Sequence, residues 1–293
     1  MFCMPSRARV APIVIAVGAL LIAMVSYQCG AGLAKDLFPA VGAQGATAYR
    51  LGLSALILLL LRRPWRSSQS LPGKKDWRVL WSYGLATGAM NLFFYLSLST
   101  IPLGIAVALE FTGPLALALY GSRRPIDFLW IGLVIGGVAL LLPLNSSEKA
   151  LDPIGVVYAL AAGVGWALYI VMGQKAGAVY GGNAVALGTS IAALVAIPAG
   201  IAHAGTALFS LDLLPYALGV AALSSALPLS LEMMALTRMP ARSFSTLLSL
   251  EPAIAALAGM ALLNEHLNAL QWAAIASIVV AATGTALSVK KRQ

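Results

Sequence analysis

Apolar residues along this chain gather in blocks of about 20, too long for strands and too uniformly apolar for a helix with one wet face. Ten such blocks cover roughly 10–28, 44–61, 79–98, 102–120, 127–144, 154–174, 184–202, 213–236, 242–262 and 268–288. Each has the length a helix needs to cross a bilayer. In lipid the backbone must satisfy its own hydrogen bonds, so blocks of this kind are read as helices. The longest polar interruption, RRPWRSSQSLPGKKDW over 62–77, is too short for a separate soluble domain. The pattern predicts an all-α polytopic membrane protein with ten transmembrane helices and short connectors.

Composition strengthens this reading. Of the 293 residues, 60% are hydrophobic and 10% charged, against about 25% charged in an ordinary soluble domain. The net charge of +9 would suit a nucleic-acid partner if it were clustered on one surface. It follows the membrane instead. With a cytoplasmic N-terminus and ten crossings, Arg7, Arg9, Arg62, Arg63, Arg66, Lys74, Lys75, Arg78, Arg123, Arg124, Lys175, Arg238, Arg242, Lys290, Lys291 and Arg292 fall on the inner side, 16 of the 19 basic residues. That is the positive-inside bias. It places both termini in the cytoplasm and leaves no nucleic-acid partner to expect. Arg7 and Arg9 ahead of VAPIVIAVGALLIAMV also look like the start of a signal peptide. The segment serves as the first helix of the repeat described next, so it is read as retained.

The two halves match. Pro102, Pro114 and Gly121 recur as Pro240, Pro252 and Gly259 at an offset of 138. Leu109 with Leu247, Ala118 with Ala256 and Leu119 with Leu257 share that offset, and Asp127 with Glu265 keeps an acid there. Lys35 with Lys175 and Gly42 with Gly182 pair at 140. The expected units are 10–144 and 154–289, five helices each. An odd number of crossings turns the second copy upside down. The charges agree: the connector after the fourth block carries Arg123 and Arg124, while its counterpart after the ninth is Asn264-Glu265-His266. Conversely, STIP after the third block is uncharged and TRMPAR after the eighth carries Arg238 and Arg242. Inverted repeats supply two near-equivalent conformations around a site at mid-depth, which favours transport by alternating access. An enzyme would need a nucleophile with its base, or a metal set. No HExxH, Cys–His pair or clustered carboxylate dyad occurs, no disulfide is expected between Cys3 and Cys29, and nothing calls for a metal or cofactor.

The stretches FFYLSLSTIPLGIAVALEFTGPLALALYGSRRPIDF and ALPLSLEMMALTRMPARSFSTLLSLEPAIAALAGM resemble the amino-acid exporters of the EamA-type group in the drug/metabolite transporter superfamily. The similarity runs from about Pro12 to Val289. It implies an inner-membrane exporter of two EamA repeats that moves small neutral amino acids such as threonine or homoserine, coupled to the proton gradient. A different small-molecule cargo on the same scaffold is the alternative, and the chain is expected to act as monomer or homodimer. One departure is visible. Where the family carries Gly-Glu near the end of the fourth helix of each copy, this chain has Asn264-Glu265 in the second and Arg-Arg-Pro-Ile-Asp ending at Asp127 in the first. The missing glycine puts the local helix-end geometry in question.

A charge at the centre of a span costs about 2.5 to 3.5 kcal/mol on insertion scales. Arg50, Glu110 and Glu251 lie nearest mid-depth and must face protein, a partner charge or a water-filled cavity. A zwitterionic amino acid needs a cation for its carboxylate and an anion for its ammonium. Arg50 fits the first role through a bidentate fork; Glu110 fits the second or carries the exchanged proton. The competing reading is a structural ion pair between Arg50 and one of the acids. Glu251 before Pro252 is a weaker candidate, and Glu232 weaker still. Tyr83, Thr87, Asn91, Tyr95 and Ser99 recur every four residues as a polar stripe, which lines a path or bonds a neighbouring helix. Asn91, Tyr95 and Trp166 complete the candidate substrate contacts, although core packing is an equal or better reading for Trp166. His203 and His266 are read as surface residues. Prolines 102, 114, 228, 240 and 252 interrupt helices, and those beside Glu110 and Glu251 point to the site.

Overall fold

The computed structural model describes residues 7–66, 74–119, 125–141, 151–236 and 247–288. Every regular element among them is helical: α1 (Arg7–Lys35), α2 (Phe38–Arg62), α3 (Lys74–Leu98), α4 (Leu103–Glu110), α5 (Thr112–Leu119), α6 (Pro125–Leu141), α7 (Pro153–Tyr180), α8 (Asn183–Ala204), α9 (Leu214–Ala221), α10 (Leu227–Leu236), α11 (Glu251–Leu263) and α12 (Ala269–Ser288). A π turn, Ala222–Ala226, joins α9 to α10. The all-α membrane reading of the sequence holds. Ile15–Lys35, Phe38–Arg66, Pro153–Tyr180, Asn183–Phe209 and Leu214–Glu232 are each long and apolar enough to cross a bilayer. Leu103–Leu117, Phe128–Gly137, Glu251–Leu263 and Ala269–Ala281 are shorter apolar helices. Large apolar side chains such as Ile22, Leu60, Phe128, Val164, Leu194 and Leu257 point outward, as contact with lipid requires. Gly121, Arg123, Arg124, Arg238, Pro240 and Arg242 lie outside the described residues.

Two interruptions follow from proline chemistry. A proline has no N–H to offer the carbonyl four residues back. Pro114 leaves the Glu110 carbonyl without its helical donor, and α4 stops at Glu110; Thr112 Oγ1 then donates to the Leu109 carbonyl at 2.6 Å. Pro228 does the same to the Ser224 carbonyl within the π turn. There the Leu227 N–H reaches back to Ala222, which also frees the Leu223 carbonyl. Side chains from other helices bond the turn: Ser26 Oγ donates to the freed Leu223 carbonyl at 2.7 Å, and Ser54 Oγ adds a bond to the Ala221 carbonyl at 2.9 Å. In an apolar medium each unclaimed carbonyl would cost free energy comparable to a lost hydrogen bond. The π turn is thereby tied to α1 and α2.

The helices pack in a defined set of pairs. α2 lies along α8, α6 along α12 and α4 along α11. α3 packs on α7 and α8; α1 packs on α10, the π turn and α11; α2 also contacts α9 and the π turn; α4 and α5 both contact α7. A close approach joins α7 to α4 and α5. A Cβ on Gly113 would collide with the Gly163 carbonyl, and one on Gly163 would sit 2.6 Å from the Glu110 carbonyl oxygen. Small residues let membrane helices meet at this distance.

Gly163→Val is therefore expected to cost roughly 1–3 kcal/mol through overpacking. Gly18→Val, where a Cβ meets nothing within 4 Å, serves as the control. Unfolding in detergent micelles reads the difference, and equal stability of the two variants would contradict the close approach.

Candidate functional site

Arg50 on α2 is 1% exposed. Its Nε and Nη2 donate to the Ser224 carbonyl at 3.2 and 2.9 Å, Nη2 also to Tyr27 Oη at 2.7 Å, and Nη1 to Asn91 Oδ1 at 2.5 Å. Its Cζ lies 5.0 Å from the Tyr27 ring centroid and 4.9 Å from that of Tyr95, so both rings cover the cation. Asn91 Nδ2 donates to the Thr87 carbonyl at 2.7 Å, which aims its oxygen at the guanidinium. The carbonyl of Ser224 is available because Pro228 cannot claim it. Arg50, Asn91 and Tyr95, named from the sequence, thus come together; Tyr27 and Ser224 complete the group.

A second group surrounds a cavity between α1, α3, α4, α7, α10 and α11. Tyr27, Glu110, Trp166, Tyr169, Glu232 and Glu251 line it together with apolar side chains such as Leu20 and Met24. Glu110 and Glu251 are each 7% exposed. Trp166 stands edge-on to Phe111 with centroids 5.5 Å apart, at the break between α4 and α5. Gln28 Nε2 donates to Glu251 Oε1 at 3.2 Å. Tyr27 belongs to both groups, because its ring and hydroxyl meet Arg50 while it also forms part of the cavity wall.

The other candidates separate. Glu232, ranked last in the sequence, lines the cavity with Glu110 and Glu251. The polar stripe on α3 serves packing over most of its length. Tyr83 sits against Gly188 and 5.3 Å from the Tyr169 ring centroid, Thr87 bonds its own helix, and Ser99 bonds the Leu96 carbonyl at 2.6 Å. His203 and His266 are exposed. At one end of the bundle, Glu265 Oε1 pairs with Lys35 Nζ at 2.8 Å and Oε2 accepts the Leu103 N–H at 2.8 Å. The missing glycine is accommodated: Asn264 adopts φ 51°, and the Glu265 N–H closes the helix end on the Gly259 carbonyl at 3.1 Å. Asparagine is the side chain that tolerates this left-handed conformation best after glycine.

The model of the EamA-like transporter family matches residues 153–287. The "Threonine/homoserine exporter RhtA" of Salmonella typhimurium (strain LT2) is 51% identical over 289 residues, 98% of this chain and 97% of its own. The protein of the same name from Escherichia coli (strain K12) gives the same identity and coverage. A solved crystal structure, 19% identical, superposes with a TM-score of 0.54 over 94% of this chain and 99% of its own, which establishes a shared fold.

The Arg50 contacts carry a direct prediction. Ser224→Ala keeps the main-chain acceptor and is expected to cost about 1 kcal/mol or less. Arg50→Ala strips donors from a buried network and is expected to cost about 3 kcal/mol or more. Thermal unfolding in detergent checks both, and equal losses would show that the Ser224 contact is not made through the carbonyl.

Proposed function

The chain belongs to the EamA-like transporter family, and from that premise we propose that it is an inner-membrane exporter of small neutral amino acids such as threonine and homoserine. The observation that carries this reading is a buried cavity lined by Glu110, Glu232 and Glu251 within a bundle whose full length matches proteins named for that export. Acidic groups at mid-depth suit a cargo that carries an ammonium. Glu110 exchanges the coupling proton: it lies at the end of α4, beside the break that precedes α5. Arg50 acts through Tyr27 in this conformation, since its donors are engaged by Ser224, Asn91 and Tyr27. It fixes the wall against which the cargo lies.

The transport cycle is alternating access between two inverted five-helix units, 10–144 and 154–289, across ten crossings with both termini in the cytoplasm. The packing supports this. Exchanging the two halves, so that α1 takes the place of α7, α2 of α8 and α3 of the α9–α10 segment, converts the α3–α7 contact into α1–α10 and α3–α8 into the contact of α2 with α9. The same exchange converts the contact of α4 with α7 into that of α11 with α1, and returns α2–α8, α4–α11 and α6–α12 to themselves. The ion pair follows the same rule. Lys35 pairs with Glu265, and their sequence counterparts in the other copy are Lys175 and Asp127. The first pair locks the outer side and the second locks the inner side in the alternate state.

Inverted membrane vesicles loaded by an imposed proton gradient should accumulate labelled threonine and homoserine; absence of uptake for both would reject the cargo. Glu110→Gln should insert normally yet lose gradient-driven uptake. Lys35→Ala and Lys175→Ala should shift the balance of states in opposite directions, read as cysteine labelling from the two faces. A shift in the same direction for both would remove the reciprocal locks.

A further inference from the structure

At the cavity wall and immediately behind it, two oxygens stand out. Glu251 Oε1 accepts the Gln28 amide, while Glu251 Oε2 and Gln28 Oε1 are buried with no hydrogen-bond partner. Gln28 is 1% exposed and Glu251 7%. A buried acceptor without a donor costs about 1–3 kcal/mol. Here two belong to side chains already bonded to each other and held on different helices, α1 and α11. Gln28 follows Tyr27 and lies four residues, about one helical turn, beyond Met24; both of those residues line the cavity. Glu251 lines it directly, as do Glu110 and Glu232. The described lining residues include no Lys, Arg or His.

We propose that Gln28 and Glu251 together form the seat for the primary ammonium of the cargo, Gln28 acting as a positioning residue that turns the Glu251 carboxylate and offers its own amide oxygen as a second acceptor. An ammonium carries three N–H donors and no acceptor, which matches a pair of bare oxygens. A carboxylate or phosphate brought to the same place would find acceptors facing acceptors. This inference rests on the amino-acid reading of the cavity and deepens it: recognition is centred on the charged nitrogen, and the donor from Gln28 keeps one Glu251 oxygen occupied so that the other faces the cargo. Glu110, on a different helix, is left to exchange the proton.

The test is ligand-induced thermal stabilisation of the purified full chain in detergent. The ligands are threonine, 1-amino-2-propanol, which keeps the ammonium without the carboxylate, and N-acetylthreonine, which keeps the carboxylate without the ammonium. Threonine and the amino alcohol should stabilise the wild type, and N-acetylthreonine should bind about 10- to 100-fold more weakly than threonine, the range expected for losing charge-assisted hydrogen bonds. In Gln28→Leu and Glu251→Gln, each measured against its own unliganded midpoint, that preference should shrink toward unity. Damage confined to packing would weaken all ligands alike and leave the ratio unchanged. Equal binding of threonine and N-acetylthreonine by the wild type, or an intact ratio in both variants, would overturn the seat while leaving the exporter reading in place. Stabilisation by the amino alcohol without any by threonine would retain the seat and reject threonine as the cargo.

Discussion

A guanidinium enclosed in a membrane bundle is tolerable only when its N–H groups find acceptors, and the site of this protein is built around that requirement for Arg50. Placing such a charge at mid-depth costs about 2.5 to 3.5 kcal/mol. A hydrogen bond to a charged group returns about 1.5 to 3 kcal/mol, so the bonds to Ser224, Asn91 and Tyr27 are enough to offset it. No carboxylate is needed, and none bonds Arg50 among the described residues. The structural ion pair considered from the sequence is replaced by neutral acceptors and two tyrosine rings.

Satisfying Arg50 fixes much else. Its partners lie on α1, on α3 and in the π turn, and Ser26 and Ser54 tie that turn again to α1 and α2. Tyr27 carries the constraint into the cavity wall. On the far side of that wall, α4 ends where Pro114 withdraws its donor, and Gly163 lets α7 approach the broken helix. One side of the cavity is thus bonded through Arg50, and the other lies at a helix break where α7 packs closely against α4 and α5.

Much of this was legible in the residues. Length and uniform apolarity gave the helical blocks, because lipid leaves the backbone few alternatives. The scarcity of charge in those blocks singled out Arg50, Glu110 and Glu251, and all three are buried. The role of Arg50 was harder to read, since its acceptor is a main-chain carbonyl that no side-chain pattern advertises. The spacing of Ser224 and Pro228 was the available clue. Gln28 was passed over because one neutral amide in an apolar span carries no signal until the helix facing it is known. Glu232 carried little signal for a related reason: only the packing of the bundle brings it to the same cavity as Glu110 and Glu251. The Asn264 substitution raised a question of geometry that only the backbone angles answered.

The π turn also bears on which positions can drift over evolutionary time. Since Arg50 reads the peptide oxygen at 224, the side chain there is open to replacement by other small residues. Position 228 is constrained differently. Any other amino acid there would add an amide hydrogen aimed at an oxygen that already accepts two bonds from the guanidinium, so what proline contributes is an atom it lacks.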